Sequence, residues 1–283
     1  MYRYCNNQHG QSLKRLDTIY IGYDPREHRA VEVLIDSIER HASSPLNIVT
    51  INQVALRKIG LYRRAPHIDS TCWANEPGGD MLDAFDGRPL STEFSFSRFL
   101  VPFLNQYEGF ALFMDCDMYF RADPCKVFDE FADPGGPAIR CVKHHYEHGG
   151  NIERKLYGCP QTYYSRKNWS SVVLWNCGHP ANQSLTVDDV NTKQGTWLHN
   201  FSWLNDADIG DLPEAWNWLD GHSDPSIEPI NVHFTTGGPW FSKEAGFGFD
   251  CWKPLRPGKD EDYAKEWLEL SNKIGQAHQN TPA

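Results

Sequence analysis

The chain has 283 residues, enough for one large α/β domain or two small ones with a proper core and no dependence on staples. Its 37 acidic and 27 basic residues give a net charge of −10, which excludes a global attraction for nucleic acid or anionic lipid, so an anionic ligand needs a local remedy such as a metal ion. Its 8 cysteines form no C-x-x-C pair, which excludes a zinc ribbon and a small disulfide framework and leaves reduced thiols as the simpler account.

Residues 1–16 are polar and lack the apolar core of a signal peptide, and no stretch of the chain approaches the ~20 apolar residues of a membrane span. A cytoplasmic chain with no membrane span is the expectation. Thr18-Ile-Tyr-Ile-Gly22 predicts a first strand. Asp24 then suits an N-cap, Pro25 the first helical position and Glu27 a capping box, with Ala30, Leu34 and Ile38 on one stripe and Val31 and Ile35 beside them, to about His41. A strand over 46–51 completes a β-α-β unit, whose connection is right-handed. Its turn, Gly22-Tyr-Asp-Pro, lacks the G-x-G-x-x-G of dinucleotide folds.

Residues 60–90, with Arg63, Arg64, Trp73 and several Gly and Pro, read as a long loop. The stretch 91–104 reads as a helix that begins at a Ser cap and bends near Pro102. After the strand that follows it, 119–124 reads as a turn and 138–142 as a short strand. His144, His145 and His148 precede a Gly pair, a pattern that fits an exposed loop better than a metal site. Residues 143–166 are a candidate lid. Trp169-Ser-Ser-Val-Val-Leu-Trp-Asn176 returns to a buried strand, and Ile230-Asn-Val-His233-Phe is another. From Asp260, Tyr263, Trp267, Leu270 and Ile274 mark an amphipathic helix. The expected organisation is one catalytic domain over 17–258 with a C-terminal helix and tail over 259–283.

Phe110-Ala-Leu-Phe-Met-Asp115-Cys-Asp117 is the most informative stretch, because an apolar run of this kind is a buried strand and ends in two acids. Ligands of open α/β sheets bind at such strand ends. On an extended strand, positions i and i+2 point to the same side about 6–7 Å apart, within reach of one cation. Hard oxygen ligands suit Mg²⁺ or Mn²⁺. A strand end followed by a turn explains the pair equally well when it is taken alone. His233 tips the balance, since it ends a second strand and is followed by Gly237 and Gly238, whose bare backbone lets N–H groups approach a phosphate.

These elements, in this order over roughly 17–245, resemble the metal-dependent glycosyltransferases of the GT-A fold, most closely the glycogenin and lipopolysaccharide-galactosyltransferase type. Leu212-Pro-Glu-Ala-Trp-Asn217 is similar to that family's Leu-Pro-x-x-Trp/Tyr-Asn element. The resemblance implies an α/β fold with a mostly parallel central sheet flanked by helices, a Rossmann-like nucleotide-binding half fused to an acceptor half. It implies Asp115, Asp117 and His233 as ligands of Mn²⁺ or Mg²⁺, and Asp115 also as a contact of the donor. Gly22 and Tyr23 would lie against the nucleotide base, Arg98 would face the donor phosphate or sugar, and Gly237 and Gly238 would sit under the diphosphate. The chain departs from the family's His-x-x-Gly-x-x-Lys-Pro-Trp: Gly237 stands one residue later and no Lys precedes Pro239, with Lys243 the nearest substitute. The family's Asp-Gln element has its nearest echo in Gln194-Gly195.

The implied reaction is transfer of a sugar, with retention, from a nucleoside-diphosphate sugar, UDP-sugar favoured, to a hydroxyl of a carbohydrate or glycoconjugate acceptor. An inverting route needs a base on the acceptor side, for which Asp206 and Asp208 are the candidate catalytic acids. Trp216, Trp218, Trp240 and the Tyr163-Tyr164 pair are candidate sugar platforms, with core packing the simpler role for Trp218. The competing classes are a sugar nucleotidyltransferase and a non-catalytic carbohydrate-binding module. The first lacks its Gly-rich, basic N-terminal signature here, and the second leaves the acids and His233 without a purpose.

Overall fold

The computed structural model describes residues 16–64, 66–69, 80–83, 85, 87–145, 154–155, 159–160, 165–235, 237–242 and 252–280. Trp73, His148, Tyr163, Tyr164, Lys243 and most of the candidate lid lie outside the described residues.

Nine strands position the site: β1 (Thr18–Gly22), β2 (Asn47–Ile51), β3 (Phe110–Met114), β4 (Met118–Phe120), β5 (Ile139–Cys141), β6 (Val172–Asn176), β7 (Ile209–Asp211), β8 (Trp218–Leu219) and β9 (Asn231–His233). Six of them form a mixed central sheet in the order β7-β5-β6-β3-β1-β2. β1 is parallel to β2 and β3, and β7 is parallel to β5; β6 is antiparallel to both its neighbours and is the one reversed strand. The expectation of a mostly parallel sheet thus holds for strand direction, and β6 makes the sheet mixed. β1, β3 and β6 are apolar on both faces because both faces are covered. Side chains such as Ile19, Ile21, Leu112 and Phe113 are fully buried, each worth about 1.5–3 kcal/mol of transfer free energy.

Helix α1 (His28–His41) crosses from β1 to β2 and buries Ala30, Val31, Val33, Leu34, Ser37 and Ile38. Its entry differs from the expected capping box. Asp24 caps a short 3-10 turn (Pro25–Glu27), accepting from Arg26 N at 2.9 Å, and also accepts from Glu93 N at 3.1 Å. Glu27 is buried beneath it. The helix stops where Ala42 turns extended, ahead of Ser43-Ser-Pro45.

Two further expectations change. Residues 91–96 are bends and turns, and regular helix begins only at Ser97–Leu100 (3-10) and continues through Val101–Leu104. Ser95 explains the delay, because its hydroxyl is spent on Thr92 O and competes with the helical backbone pattern. The stretch 119–124 reads as a turn, but its first two residues belong to strand β4 (Met118–Phe120), which pairs antiparallel with β9 and buries Met118, Tyr119 and Phe120. Its strand role depends on a partner more than a hundred residues away, which local sequence does not display. Within 60–90, Pro66–Asp69, Asp80–Asp83 and Pro89–Leu90 form a small antiparallel sheet.

β8, β9 and β4 form a second sheet over a second core, closed by helix α2 (Lys259–Asn280). Tyr263, Ala264, Trp267 and Ile274 of α2 pack with Ala30 and Val33 of α1 and with Trp218, Val232, Phe234 and Trp240. Ser37 of α1 joins the two cores, its hydroxyl accepting from Phe120 N at 3.0 Å. Among the described residues no helix is long and apolar enough to cross a membrane.

Candidate functional site

The chain leaves β3 at Met114, and Asp115 and Asp117 lie in the short bend before β4. Their convergence therefore does not come from the i, i+2 spacing of a strand. Asp115 N still donates to Ser171 O at 2.9 Å, which extends the β3–β6 ladder by one bond. Asp117 immediately precedes Met118, whose register partner is His233, and Phe234 N donates to Asp117 O at 2.9 Å. The crossing of β4 and β9 is what brings the acid to the histidine. Side-chain ligand atoms of Asp115, Asp117 and His233 all lie within 4.8 Å of one another, and among the described residues this is the sole such group of His, Cys, Asp or Glu.

Cys116, between the two acids, points into the core and is fully buried. Burial first, then the nearby Glu27 and Asp117, push its thiol well up, so it stays protonated and is no ligand. Cys125, Cys141 and Cys177 are likewise buried and outside any disulfide.

The imidazole of His233 is buried, with Nε2 at 3.3 Å from Asp117 Oδ1 and Nδ1 at 2.9 Å from Asn217 Oδ1. Asn217 Nδ2 donates to Ser171 Oγ at 2.9 Å and to Asn168 O at 3.3 Å, which turns Oδ1 toward the histidine. With Asn217 offering an acceptor, Nδ1 carries a proton, and Nε2 is the nitrogen that faces the carboxylates. This outer partner fixes the tautomer a metal ligand requires. The chemistry of the set, two carboxylates and one imidazole, fits Mn²⁺ or Mg²⁺.

Arg98 anchors the other acid. Its Nη1 lies 2.7 Å from Asp115 Oδ1 and donates to Ser170 O at 2.9 Å, and its Nε donates to Ser95 O at 3.1 Å. The guanidinium carbon sits 5.1 Å from the ring centres of both Phe94 and Phe113. Arg98 thus meets an acid of the cluster, where the resemblance placed it against a donor phosphate or sugar. The 3-10 turn Trp169–Ser171 serves both sides of the site, through Ser170 O and Ser171 O on the Asp115 side and Ser171 Oγ on the His233 side.

The glycines have steric work of their own. A Cβ on Gly22 would stand 2.3 Å from the Phe94 ring, and one on Gly238 would stand 2.1 Å from the Trp240 ring. Each glycine admits an aromatic side chain of the core. Gly237 differs, having φ of 100°, a conformation open chiefly to glycine. Tyr23 is half-buried at the end of β1, with its ring edge-on to His28. Trp216 and Trp218 are core residues, and Trp240 packs on Trp267 at 5.4 Å.

Asp206 and Asp208 are not brought to the cluster. They precede β7, the edge strand, at the level of Phe110 when register is followed from Ile209 through Ile139 and Trp175 to Ala111. Asp206 pairs with Arg166 and is 90% exposed, while Asp208 closes a capping box on Asn205. Two neighbours differ from the sequence reading: His144, expected in an exposed loop, is partly buried beside His233, and Asp220 was not singled out. His144 is held neutral, its imidazole pushed down to about 3 by burial and then by nearby His233. Asp220 is fully buried behind His233, and burial pushes its carboxyl up to about 7 in spite of the Thr235 N–H it accepts at 2.7 Å. The signal for Asn217, Ser171 and Asp220 was available: polar residues inside or at the ends of apolar runs, which fold inward only when bonded.

No protein-family model matches the chain. It is 43% identical over 269 residues to Protein CDI of Arabidopsis thaliana, covering 93% of this chain and 88% of that protein. In three dimensions it is similar to the galactosyltransferase LgtC, solved in complex with donor and acceptor sugar analogs, with TM-score 0.52 and 16% identity over 90% of this chain and 95% of that one. It is also similar to the glycosyltransferase GlyE of Streptococcus pneumoniae TIGR4, with TM-score 0.50 and 15% identity. The match to GlyE covers 94% of this chain but less than two thirds, 65%, of that one. At such identities the likeness is one of fold: the chain has a GT-A-like α/β fold.

Proposed function

We propose that this chain, which belongs to the family of Protein CDI of Arabidopsis thaliana, is a metal-dependent glycosyltransferase using a nucleoside-diphosphate sugar, UDP-sugar favoured, as donor. The observation that carries the reading is the convergence of Asp115, Asp117 and His233 where β3 leaves the central sheet. Two carboxylates and an imidazole on a GT-A-like scaffold make a donor anchor, and a chain of net charge −10 needs one for an anionic ligand.

Asp115, Asp117 and His233 would hold Mn²⁺ or Mg²⁺. A bound divalent cation supplies electrostatic stabilisation of the departing diphosphate. The chain's own residues do the rest. Arg98 pairs with Asp115 and orients it, Asn217 holds Nδ1 of His233 and so turns Nε2 to the acids, and Gly237 lends its positive-φ turn to the diphosphate side. Tyr23 and Gly22 border the base.

Transfer breaks the bond from the anomeric carbon to the phosphate oxygen and forms one to an acceptor hydroxyl of a carbohydrate or glycoconjugate. Asp206 and Asp208 lie away from the cluster, which favours a retaining route in which the departing phosphate oxygen takes the acceptor proton on the same face. The catalytic unit is a single domain over 17–258, and the protein works in the cytoplasm.

Incubation of the full chain with nucleotide sugars, Mn²⁺ and a panel of sugar acceptors tests the reading. Release of nucleoside diphosphate with glycosylated acceptor supports it. Donor consumed only when pyrophosphate is added, with nucleoside triphosphate and sugar 1-phosphate as products, points to a nucleotidyltransferase, and unaltered donor despite tight binding points to a binding module; either outcome sinks the transferase reading.

A further inference from the structure

We propose that the C-terminal helix α2 positions the metal-site histidine, acting through Asp260, Asp220 and Thr235. The inference rests on reading His233 as a metal ligand.

β8 and β9 have two and three residues, so their ladder alone supplies few bonds to hold His233 in register. Asp220, the residue after β8, supplies more. Its N–H donates to His233 O at 3.1 Å, and its Oδ1 accepts from Thr235 N at 2.7 Å and Thr235 Oγ at 3.2 Å. One buried side chain and its own backbone thereby hold the histidine's carbonyl and the residue two positions beyond it. Between them, Phe234 N is held by Asp117 O.

Asp220 is in turn fixed from α2. Asp260, in the first turn of that helix and 1% exposed, accepts from Gly221 N at 2.9 Å. Both its oxygens also take Arg256, through N at 3.0 Å, Nε at 3.1 Å and Nη2 at 3.0 Å. Arg256 Nη1 reaches on to Ser223 O at 2.8 Å, which ties the helix start to the turn after β8. Gly221 has φ of 72°, and a Cβ there would meet Leu255 at 2.4 Å, so only glycine lets the turn after Asp220 pack against the chain leading into the helix. Tyr263 packs edge-on against Trp218 of β8 at 5.1 Å. A surface helix needing only to cover a core would use apolar contacts; two buried carboxylates cost desolvation and are spent here on backbone N–H groups beside His233.

The test uses the full chain with ¹⁵N-histidine NMR without metal, and calorimetric titration with MnCl₂. Wild-type His233 should give a single set of imidazole ¹⁵N signals. In Asp260→Ala its imidazole signals should shift or split and Mn²⁺ affinity should fall about tenfold, while Asp260→Asn, which keeps an acceptor for Gly221 N–H, should recover to within about threefold. If Asp260→Ala does not fold, Thr235→Val removes one bond to Asp220 and carries the same expectation with a smaller shift. Unchanged His233 signals together with Mn²⁺ affinity within about twofold of wild type overturn the proposal. Should wild type bind no Mn²⁺ while His233 still responds to Asp260→Ala, the metal reading fails and the positioning role stands.

Discussion

Asn217 Oδ1 sits 2.9 Å from His233 Nδ1, and the amide nitrogen of the same side chain donates to Ser171 Oγ. The asparagine cannot rotate without losing both bonds, so it sets which imidazole nitrogen keeps a lone pair. Asn217→Ala should lower Mn²⁺ affinity by about 10–100-fold with the fold retained, read by calorimetry against a circular-dichroism control. An affinity equal to wild type means that the histidine orients itself without it.

Arg98 and Asp115 form an ion pair with side chains 7% and 12% exposed. Removing one partner of a buried pair leaves the other charge uncompensated, which costs about 3–5 kcal/mol. Arg98→Met should show that loss in urea unfolding of the metal-free chain, and saturating Mn²⁺ should recover part of it, since a cation at the same carboxylate replaces the lost charge.

Adjacent arginines give an internal comparison. Arg64 is paired with Asp83 through Nε at 2.9 Å and Nη2 at 2.5 Å, both side chains 1% exposed, whereas its neighbour Arg63 pairs with Asp188 at the surface. Asp83→Asn should cost about 3–5 kcal/mol and Asp188→Asn less than about 1 kcal/mol by urea unfolding. Equal costs contradict the burial argument.

His144 carries a pH prediction. Its folded pKa of about 3 lies below the ordinary value of 6.5, so the unfolded chain binds the extra proton between those values. Its contribution to stability is intact above pH 6.5 and falls as pH drops toward 3, by at most about 1.4 kcal/mol per unit. The melting temperature of wild type should therefore fall more steeply from pH 7 to pH 5 than that of His144→Gln, and parallel curves contradict the assignment.

The strands that carry the acids and the histidine were legible because apolar runs ending in polar residues mark them without any knowledge of partners. Asp115, Asp117 and His233 were found that way, and the structure brings them together. The means of their meeting was hidden: β4 is three residues long and owes its existence to β9, so Tyr119 and Phe120 read as the start of a turn over 119–124. Gly22 and Gly238 drew attention as glycines, yet only coordinates show the Phe94 and Trp240 rings that occupy the vacated space. Asp206 and Asp208 stand out for their chemistry and nearness in sequence to the Leu-Pro element, and register places them just ahead of the edge strand β7, level with Phe110. The supporting residues Asn217, Ser171 and Asp220 are buried polar groups, whose roles depend on partners from three separate elements.

The central claim is that Asp115, Asp117 and His233 anchor a divalent cation for a nucleotide-sugar donor. Calorimetric titration of MnCl₂ into the full chain in the presence of UDP, alongside Asp117→Ala, tests it most directly. The account predicts saturable Mn²⁺ binding by wild type and its loss in the variant, with the circular-dichroism spectrum unchanged. Mn²⁺ binding of equal strength in the two proteins, or none in wild type, would contradict it.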